Sequence, residues 1–205
     1  HGGRVPPLAP RRVAREKEIA FSADRMRTRV HIFGASGSGT STLGREVARR
    51  SDLPFFDADD FFWQKTDPPF QRAQDPETRQ RLLMEALSAD PGWVLAGSIS
   101  GWGDLAIGLF DLALFVEVPT EIRLERLRAR EQRRFGDRIA PSGDMHEQHR
   151  AFLDWAARYD EGGMDVRSRR LHAEWMKRLA CPVLKLDGLL SFDILAGRIV
   201  AAMDA

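Results

Sequence analysis

The segment from residue 30 to residue 42 constrains the fold more than any other part of this 205-residue chain. It reads Val-His-Ile-Phe-Gly-Ala-Ser-Gly-Ser-Gly-Thr-Ser-Thr. Its apolar start predicts a short buried strand, and Leu43, Val47 and Ala48 then repeat at helical spacing. The glycines between strand and helix let backbone N–H groups converge on an anion, and the helix N-terminus adds partial positive charge. This order predicts a phosphate-binding loop, with a glycine-rich turn that holds no ligand as the alternative.

The loop matches the P-loop pattern G-x-x-x-x-G-K-[ST] except at its lysine. Gly34 and Gly39 are in register, Ser41 takes the hydroxyl position that binds Mg²⁺, and Thr40 stands where lysine belongs. The residues predicted to hold the phosphates are Gly34, Ala35, Ser36, Gly37, Ser38, Gly39, Thr40, Ser41 and Thr42. Because the lysine normally supplies positive charge to the outer phosphates, another group must supply that charge or the chemistry is weak.

These residues resemble the loop of P-loop kinases of the adenylate-kinase and shikimate-kinase type. Archaeal-type cytidylate kinases are similar in carrying Gly-Ser-Gly-Thr-Thr-Thr here, so threonine at position 40 does not exclude a kinase. The resemblance covers most of residues 28–203 and is specific at the loop. It implies ATP and Mg²⁺ as cofactors, with phosphoryl transfer to a small acceptor.

The alternation of apolar runs with helical patterns predicts an α/β fold. We expect a three-layer P-loop NTPase fold with a five-stranded parallel sheet, right-handed crossovers and a helical lid insertion. Residues 1–25 form an N-terminal extension that we expect to be peripheral, and residues 26–205 form the P-loop domain, with the lid at about residues 131–163.

Charge and hydropathy exclude several kinds of partner. Thirty-one basic and 30 acidic residues leave a net charge of +1, which gives no general attraction for nucleic acid or a membrane surface. The sequence has no apolar run of membrane-spanning length and no signal-peptide pattern, so cytoplasmic localisation is the expectation. The partner we expect is a small-molecule or nucleotide acceptor.

Three acidic residues follow the second predicted strand. Asp57, Asp59 and Asp60 come directly after Phe55-Phe56, where the carboxyl end of a parallel strand borders the ligand crevice. A carboxylate there can orient an acceptor hydroxyl, take its proton or bind Mg²⁺ through water. In the shikimate-type resemblance an aspartate at this point holds the acceptor, which favours Asp57 or Asp59 as catalytic. The alternative is a cap for the next helix.

Arginines offer a replacement for the absent loop lysine. Arg123, Arg126, Arg130 and Arg134 recur at three- and four-residue intervals along one predicted helix, so their mutual repulsion favours an external anion. We expect Arg126 and Arg130 to stabilise the transferred phosphoryl group, with a solvated arginine face as the alternative. Arg72 and Arg79 come before this helix, in the segment that the resemblance identifies as the acceptor-binding flap.

Three functions remain open from the sequence. The preferred one is ATP-dependent phosphoryl transfer to a nucleoside monophosphate or another hydroxyl-bearing small molecule. A nucleotide-binding sensor or partner module with little turnover is favoured by the missing lysine and by Ala96-Gly97, where adenylate-kinase-like proteins carry Asp-Gly. A nucleic-acid 5′-hydroxyl kinase fits the fold, but the near-neutral charge argues against it.

Overall fold

The computed structural model describes residues 27–204, and the predicted N-terminal extension lies outside them. Within this range five strands form one sheet. They are β1 Arg29–Gly34, β2 Phe55–Asp57, β3 Trp93–Ala96, β4 Leu112–Glu117 and β5 Val183–Asp187. Their order is β2-β3-β1-β4-β5, and each neighbouring pair is parallel. The predicted five-stranded parallel sheet is confirmed.

Helices connect these strands. In the part of the chain that the structure describes they are α1 Thr40–Ser51, α2 Ala58–Phe62, α3 Pro76–Ala89, α4 Thr120–Phe135, α5 His146–Ala157, α6 Arg169–Met176 and α7 Phe192–Met203. Side chains of Asp57, Asp75, Ser168 and Ser191 cap the N-termini of α2, α3, α6 and α7, since each accepts a hydrogen bond from a backbone N–H of the first turn. Short 3₁₀ helices occur at Asp104–Leu109 and Gly136–Ile139.

Hydrophobic residues cover both faces of the sheet. Along β1, Val30 and Ile32 pack with α1 and α7, whereas Phe33 packs on the opposite face with α3 and α6. All three side chains are fully buried. Alternating directions along a strand explain this division, and burial on both faces explains the continuous apolar runs of β1, β3 and β4. The predicted three-layer α/β architecture is therefore confirmed.

Strand register brings the candidate site together at one edge of the sheet. Gly34 at the end of β1 pairs with Val116, and Asp57 at the end of β2 pairs with Ala96. Gly97, the residue after β3, donates its N–H to the carbonyl of Ile32 at 2.9 Å. The glycine loop, the acidic segment and the loop after β3 consequently begin side by side. Among the described residues, no helix is both long and apolar enough to span a membrane.

Candidate functional site

The glycine loop has the backbone shape that an anion cradle needs. Gly37 and Gly39 have positive φ angles of 84° and 90°, which side chains of L residues disfavour. A Cβ atom added at Gly37 would lie 2.6 Å from the carbonyl oxygen of Arg123, so the loop packs tightly against α4. The hydroxyl of Ser38 donates to the carbonyl of Ala35 at 2.7 Å and closes the loop from within.

The N-terminus of α1 is left open to a ligand. It has no side-chain cap and no acidic residue in its first turn, and Arg49 and Arg50 lie in its last turn. The first hydrogen bond of the helix runs from Leu43 N–H to the Gly39 carbonyl, and the N–H groups of residues 40–42 have no acceptor among the described residues. These uncapped amides and the helix dipole favour bound negative charge.

Asp57 serves the local structure as well as the site. Its Oδ1 accepts the N–H of Asp59 at 3.2 Å and caps α2, so the helix-cap alternative holds for this residue. Its Oδ2 lies 3.7 Å from a guanidinium nitrogen of Arg45 on α1. The carboxylate therefore stands between the glycine-loop helix and the start of α2, with one oxygen unused by the cap.

Asp59 lies among charges of both signs. The residue keeps access to solvent, although neighbouring atoms displace part of the water around its carboxylate. Loss of surrounding water raises its pKa, repulsion by Asp57 adds to that shift, and the guanidinium groups of Arg167 and Arg130 oppose it. A carboxylate with a raised pKa is a stronger base than a free aspartate, and it is held near positive charge. The structure thus brings Asp59 and Arg130 together, two of the residues predicted from sequence to be catalytic.

Arg167 is a site residue that the sequence analysis missed. Its guanidinium lies 5.4 Å from the ring centre of Trp155, and burial lowers its pKa while the charge of Asp59 opposes that change. Among residues 27–204 it has no hydrogen bond and no ion pair within 4.0 Å. A desolvated guanidinium group whose N–H donors make no hydrogen bond is suited to bind an anion.

Arg79 forms a second group of this kind. It stacks over Phe62 at 4.7 Å and Trp102 at 5.7 Å, and its Nε is buried with no hydrogen-bond partner. Phe62 follows Asp59 by three residues on α2, so Arg79 packs on the face of α2 that carries Asp59. Arg72, the other candidate of this segment, is exposed.

The predicted arginine stripe on α4 divides by role. Arg123 is buried and donates to the carbonyls of Val118, Ser36 and Ala156, and it pairs with Asp160 at 3.3 Å. It is thus an internal strut between the glycine loop and α5, and the expected external anion is not needed at this position. Arg126, Arg130 and Arg134 remain candidates for binding an external anion.

The other arginines of the stripe have open donors. Arg126 donates one N–H to the carbonyl of Gly188 at 3.2 Å, and its Nη1 is buried without a partner. Arg130 pairs with Glu131 at 2.9 Å and lies 5.8 Å from the ring centre of Phe152. Arg134 is exposed. Arg126 is therefore beside the turn after β5, whereas Arg130 is near enough to Asp59 for its charge to oppose the rise in the pKa of that carboxyl group.

Comparisons with known proteins find relatives of this chain. No protein-family model matches it. It is 44% identical over 162 residues to the uncharacterized protein YqaC of Bacillus subtilis, across 79% of this chain and 89% of YqaC. It is 30% identical over 131 residues to a shikimate kinase of Colwellia psychrerythraea, across 61% of this chain and 74% of that kinase.

Two solved structures share the fold. Shikimate kinase from Acinetobacter baumannii in complex with shikimate gives a TM-score of 0.53 at 17% identity, covering 89% of this chain and 96% of that one. Shikimate kinase from Bacteroides thetaiotaomicron gives 0.54 at 16% identity, with 87% and 99% covered. Likeness at this level of identity concerns the fold.

Proposed function

The chain belongs to the family of P-loop kinases that includes shikimate kinase, and we propose that it transfers the γ-phosphoryl group of ATP to a hydroxyl of a small anionic acceptor. The observation that carries this proposal is one cluster of charges. Asp59, Arg167 and Arg130 interact electrostatically at the edge of the sheet where the uncapped N-terminus of α1 also begins. A base, guanidinium groups with unused N–H donors and free amides are the parts that phosphoryl transfer requires.

Residues 34–42 would hold the phosphates of ATP, chiefly through backbone N–H groups. The donor set also suits Mg²⁺, because the hydroxyl of Ser41 makes no hydrogen bond among the described residues and Asp57 can reach the ion through water. Bound Mg²⁺ would neutralise charge on the outer phosphates. Thr40 leaves these phosphates without the usual lysine, and we assign the missing charge to Arg126 and Arg130.

The acceptor would lie between Asp59 and the two arginines with unused donors. Asp59 orients the reacting hydroxyl and takes its proton, and its raised pKa suits that task. Arg167 and Arg79 bind a carboxylate or phosphate of the acceptor, since both lack an acidic partner within 4.0 Å. Aromatic side chains of Phe62, Trp102 and Trp155 stack on these guanidinium groups and fix their planes.

An acceptor panel tests the proposal. Full-length protein is mixed with γ-labelled ATP, Mg²⁺ and single candidates, including shikimate, other hydroxy acids, sugar acids and nucleoside monophosphates. Asp59→Asn should lower kcat/KM by at least ~100-fold, because a positioned general base contributes about that much. Asp60→Asn is the matched control, since Asp60 is the next residue on the same helix but is influenced by Arg45 and Lys65 rather than by Arg167 and Arg130, and it should stay within a few-fold of wild type.

A nucleotide-binding module without turnover is the second candidate. It is favoured by Thr40 at the lysine position and by Ala96-Gly97 at the end of β3, which removes the usual acid. ATP binding with no transfer to any acceptor in the panel would support this module and contradict the kinase. Transfer that survives Asp59→Asn would instead show that the acceptor site is misplaced.

A further inference from the structure

A chain of hydrogen bonds runs from the protein interior to the loop that follows β3. Tyr159 Oη lies 2.7 Å from His172 Nδ1, and His172 Nε2 lies 2.8 Å from Ser98 Oγ. Ser98 Oγ is in turn 2.8 Å from Ser100 Oγ. The first three side chains are buried, whereas Ser100 is partly exposed. Ser100 is therefore the end of the chain that a ligand can reach.

His172 and Tyr159, the two titratable side chains in this series of hydrogen bonds, are uncharged near neutral pH. Burial lowers the pKa of His172 to about 3, with the nearby charge of Arg167 adding to the effect. Burial also raises the pKa of Tyr159. A neutral imidazole has one N–H and one lone pair, so the hydrogen bonds of the chain must all run in one direction.

The hydroxyl of Tyr159 sets that direction. Its only hydrogen-bond partner among residues 27–204 is His172 Nδ1. If Nδ1 carried the hydrogen, the buried hydroxyl hydrogen of Tyr159 would have no acceptor, which is unfavourable. Tyr159 therefore donates to Nδ1, Nε2–H donates to Ser98, and Ser98 donates to Ser100. The hydrogen of Ser100 is left over and has no acceptor in the described part of the chain.

The loop that carries Ser100 contacts groups of the candidate site at both of its ends. Gly97, at the start of this loop, would place a Cβ atom 3.7 Å from Oδ1 of Asp57. Trp102, at the end of the loop, stacks against Arg79. Within the hydrogen-bond chain, the charge of Arg167 acts on His172. Ser100 thus lies on a loop that has an acid of the site next to its start and Arg79 next to its end.

We propose that Tyr159 and His172 are positioning residues that fix the Ser100 hydroxyl as a hydrogen-bond donor to an oxyanion of the acceptor. This rests on the proposed function for the identity of the pocket. The pocket would then select carboxylate or phosphate at this point, because a fixed donor next to arginines disfavours ammonium and other N–H donors. Arg167 supplies positive charge to the oxyanion, and the Ser100 hydroxyl fixes the direction of one hydrogen bond to it.

The tautomer of His172 tests the internal part of the proposal. In ¹⁵N NMR of the full chain, His172 should show a single neutral form with its hydrogen on Nε2 throughout the range from about pH 6 to pH 8. Tyr159→Phe keeps the ring that packs on Arg123 but removes the hydrogen bond to Nδ1, so the hydrogen should stay on Nε2 while the ¹⁵N signal of Nδ1 moves towards that of a ring nitrogen that accepts no hydrogen bond. A hydrogen on Nδ1 in the wild type, or an Nδ1 signal that is the same in Tyr159→Phe and wild type, would overturn the proposal.

Binding of inorganic phosphate tests the outer part. The protein is first saturated with Mg²⁺ and a non-hydrolysable ATP analogue, so that the glycine loop is filled. Ser100→Ala should weaken phosphate binding by about tenfold, the effect of one hydrogen bond to a charged group. Ser88→Ala, an exposed serine on α3, should leave the affinity unchanged. Equal phosphate affinity in Ser100→Ala and wild type would contradict the proposal.

These readouts separate the proposal from the proposed function. The wild-type tautomer and the Ser100→Ala affinity decide it even if Tyr159→Phe does not fold. An acceptor panel without phosphoryl transfer would overturn the kinase assignment while the tautomer and phosphate results stayed the same. Transfer in the panel together with an Nδ1–H tautomer would overturn only the role of Tyr159 and His172.

Discussion

Two buried histidines make this fold sensitive to mild acid. Side chains of His31 and His172 are 0% exposed, and burial lowers the pKa of each from 6.5 to about 3. His31 lies between the rings of Phe33 and Phe110 at 5.0 and 4.8 Å, and its Nε2 has no hydrogen-bond partner. When His31 is protonated, the hydrogen on Nε2 therefore has no hydrogen-bond acceptor.

The sign and size of the effect follow from these pKa values. Because the folded-state pKa lies below the unfolded value, stability is complete above pH 6.5 and falls as pH drops from 6.5 towards 3. Between pH 7 and pH 5 each histidine removes about 2 kcal/mol from the free energy of unfolding, or about 4 kcal/mol together. Carboxylates with lowered pKa values act at more acidic pH, and the raised pKa values of Asp59 and Asp60 change stability in the opposite direction, so a loss of stability in this window reports the histidines.

Chemical denaturation at pH 7, 6 and 5 measures the effect, with tryptophan fluorescence and circular dichroism as probes. His31→Phe retains an aromatic ring in the stack and should halve the loss between pH 7 and pH 5, to about 2 kcal/mol. The same fall in wild type and His31→Phe would show that His31 does not contribute. A free energy of unfolding that stays constant between pH 7 and pH 5 would refute the reasoning for both residues.

Two substitutions with matched controls test the glycine loop and its strut. Gly37→Ala should cost at least about 2 kcal/mol of stability and abolish ATP binding, because its φ is +84° and the new Cβ would lie 2.6 Å from a carbonyl oxygen. Gly108→Ala, which has no atom within 4 Å of the new Cβ, should change thermal stability little. Arg123→Met should cost about 3–5 kcal/mol in denaturant unfolding, since three carbonyls lose their donor and Asp160 keeps only Arg169 and Thr120. Exposed Arg128→Met on the same helix should cost under about 0.5 kcal/mol. Unfolding curves of the two arginine variants that coincide would contradict the strut.

The features that the sequence predicted best are local. The apolar run before Gly34 and the helical spacing after Gly39 lie within one short segment, and strand, loop and helix follow in that order in the structure. The alternation of apolar runs with helical patterns also predicted the parallel sheet, because right-handed βαβ units leave few alternative topologies. The position of Asp57, Asp59 and Asp60 at the carboxyl end of β2 could be predicted for the same reason.

The features that the sequence could not predict depend on contacts between distant residues. Arg123 and Arg126 have the same spacing on α4, but Arg123 is buried because Asp160 meets it from 37 residues away. Arg167 comes just after the predicted lid, and nothing in its neighbours indicates that it faces Asp59. Ser98 meets His172 across 74 residues. No periodicity in the sequence reports such pairings.

Titration with ATP and Mg²⁺, followed by amide NMR signals, tests the central claim most directly. The claim is that backbone N–H groups of residues 34–42 hold the phosphates although position 40 is threonine. Saturable shifts of the amide signals of residues 37–42 are expected in wild type, and Thr40→Lys should retain them. Unperturbed signals in this loop at millimolar ATP, or shifts confined to other parts of the chain, would contradict the account.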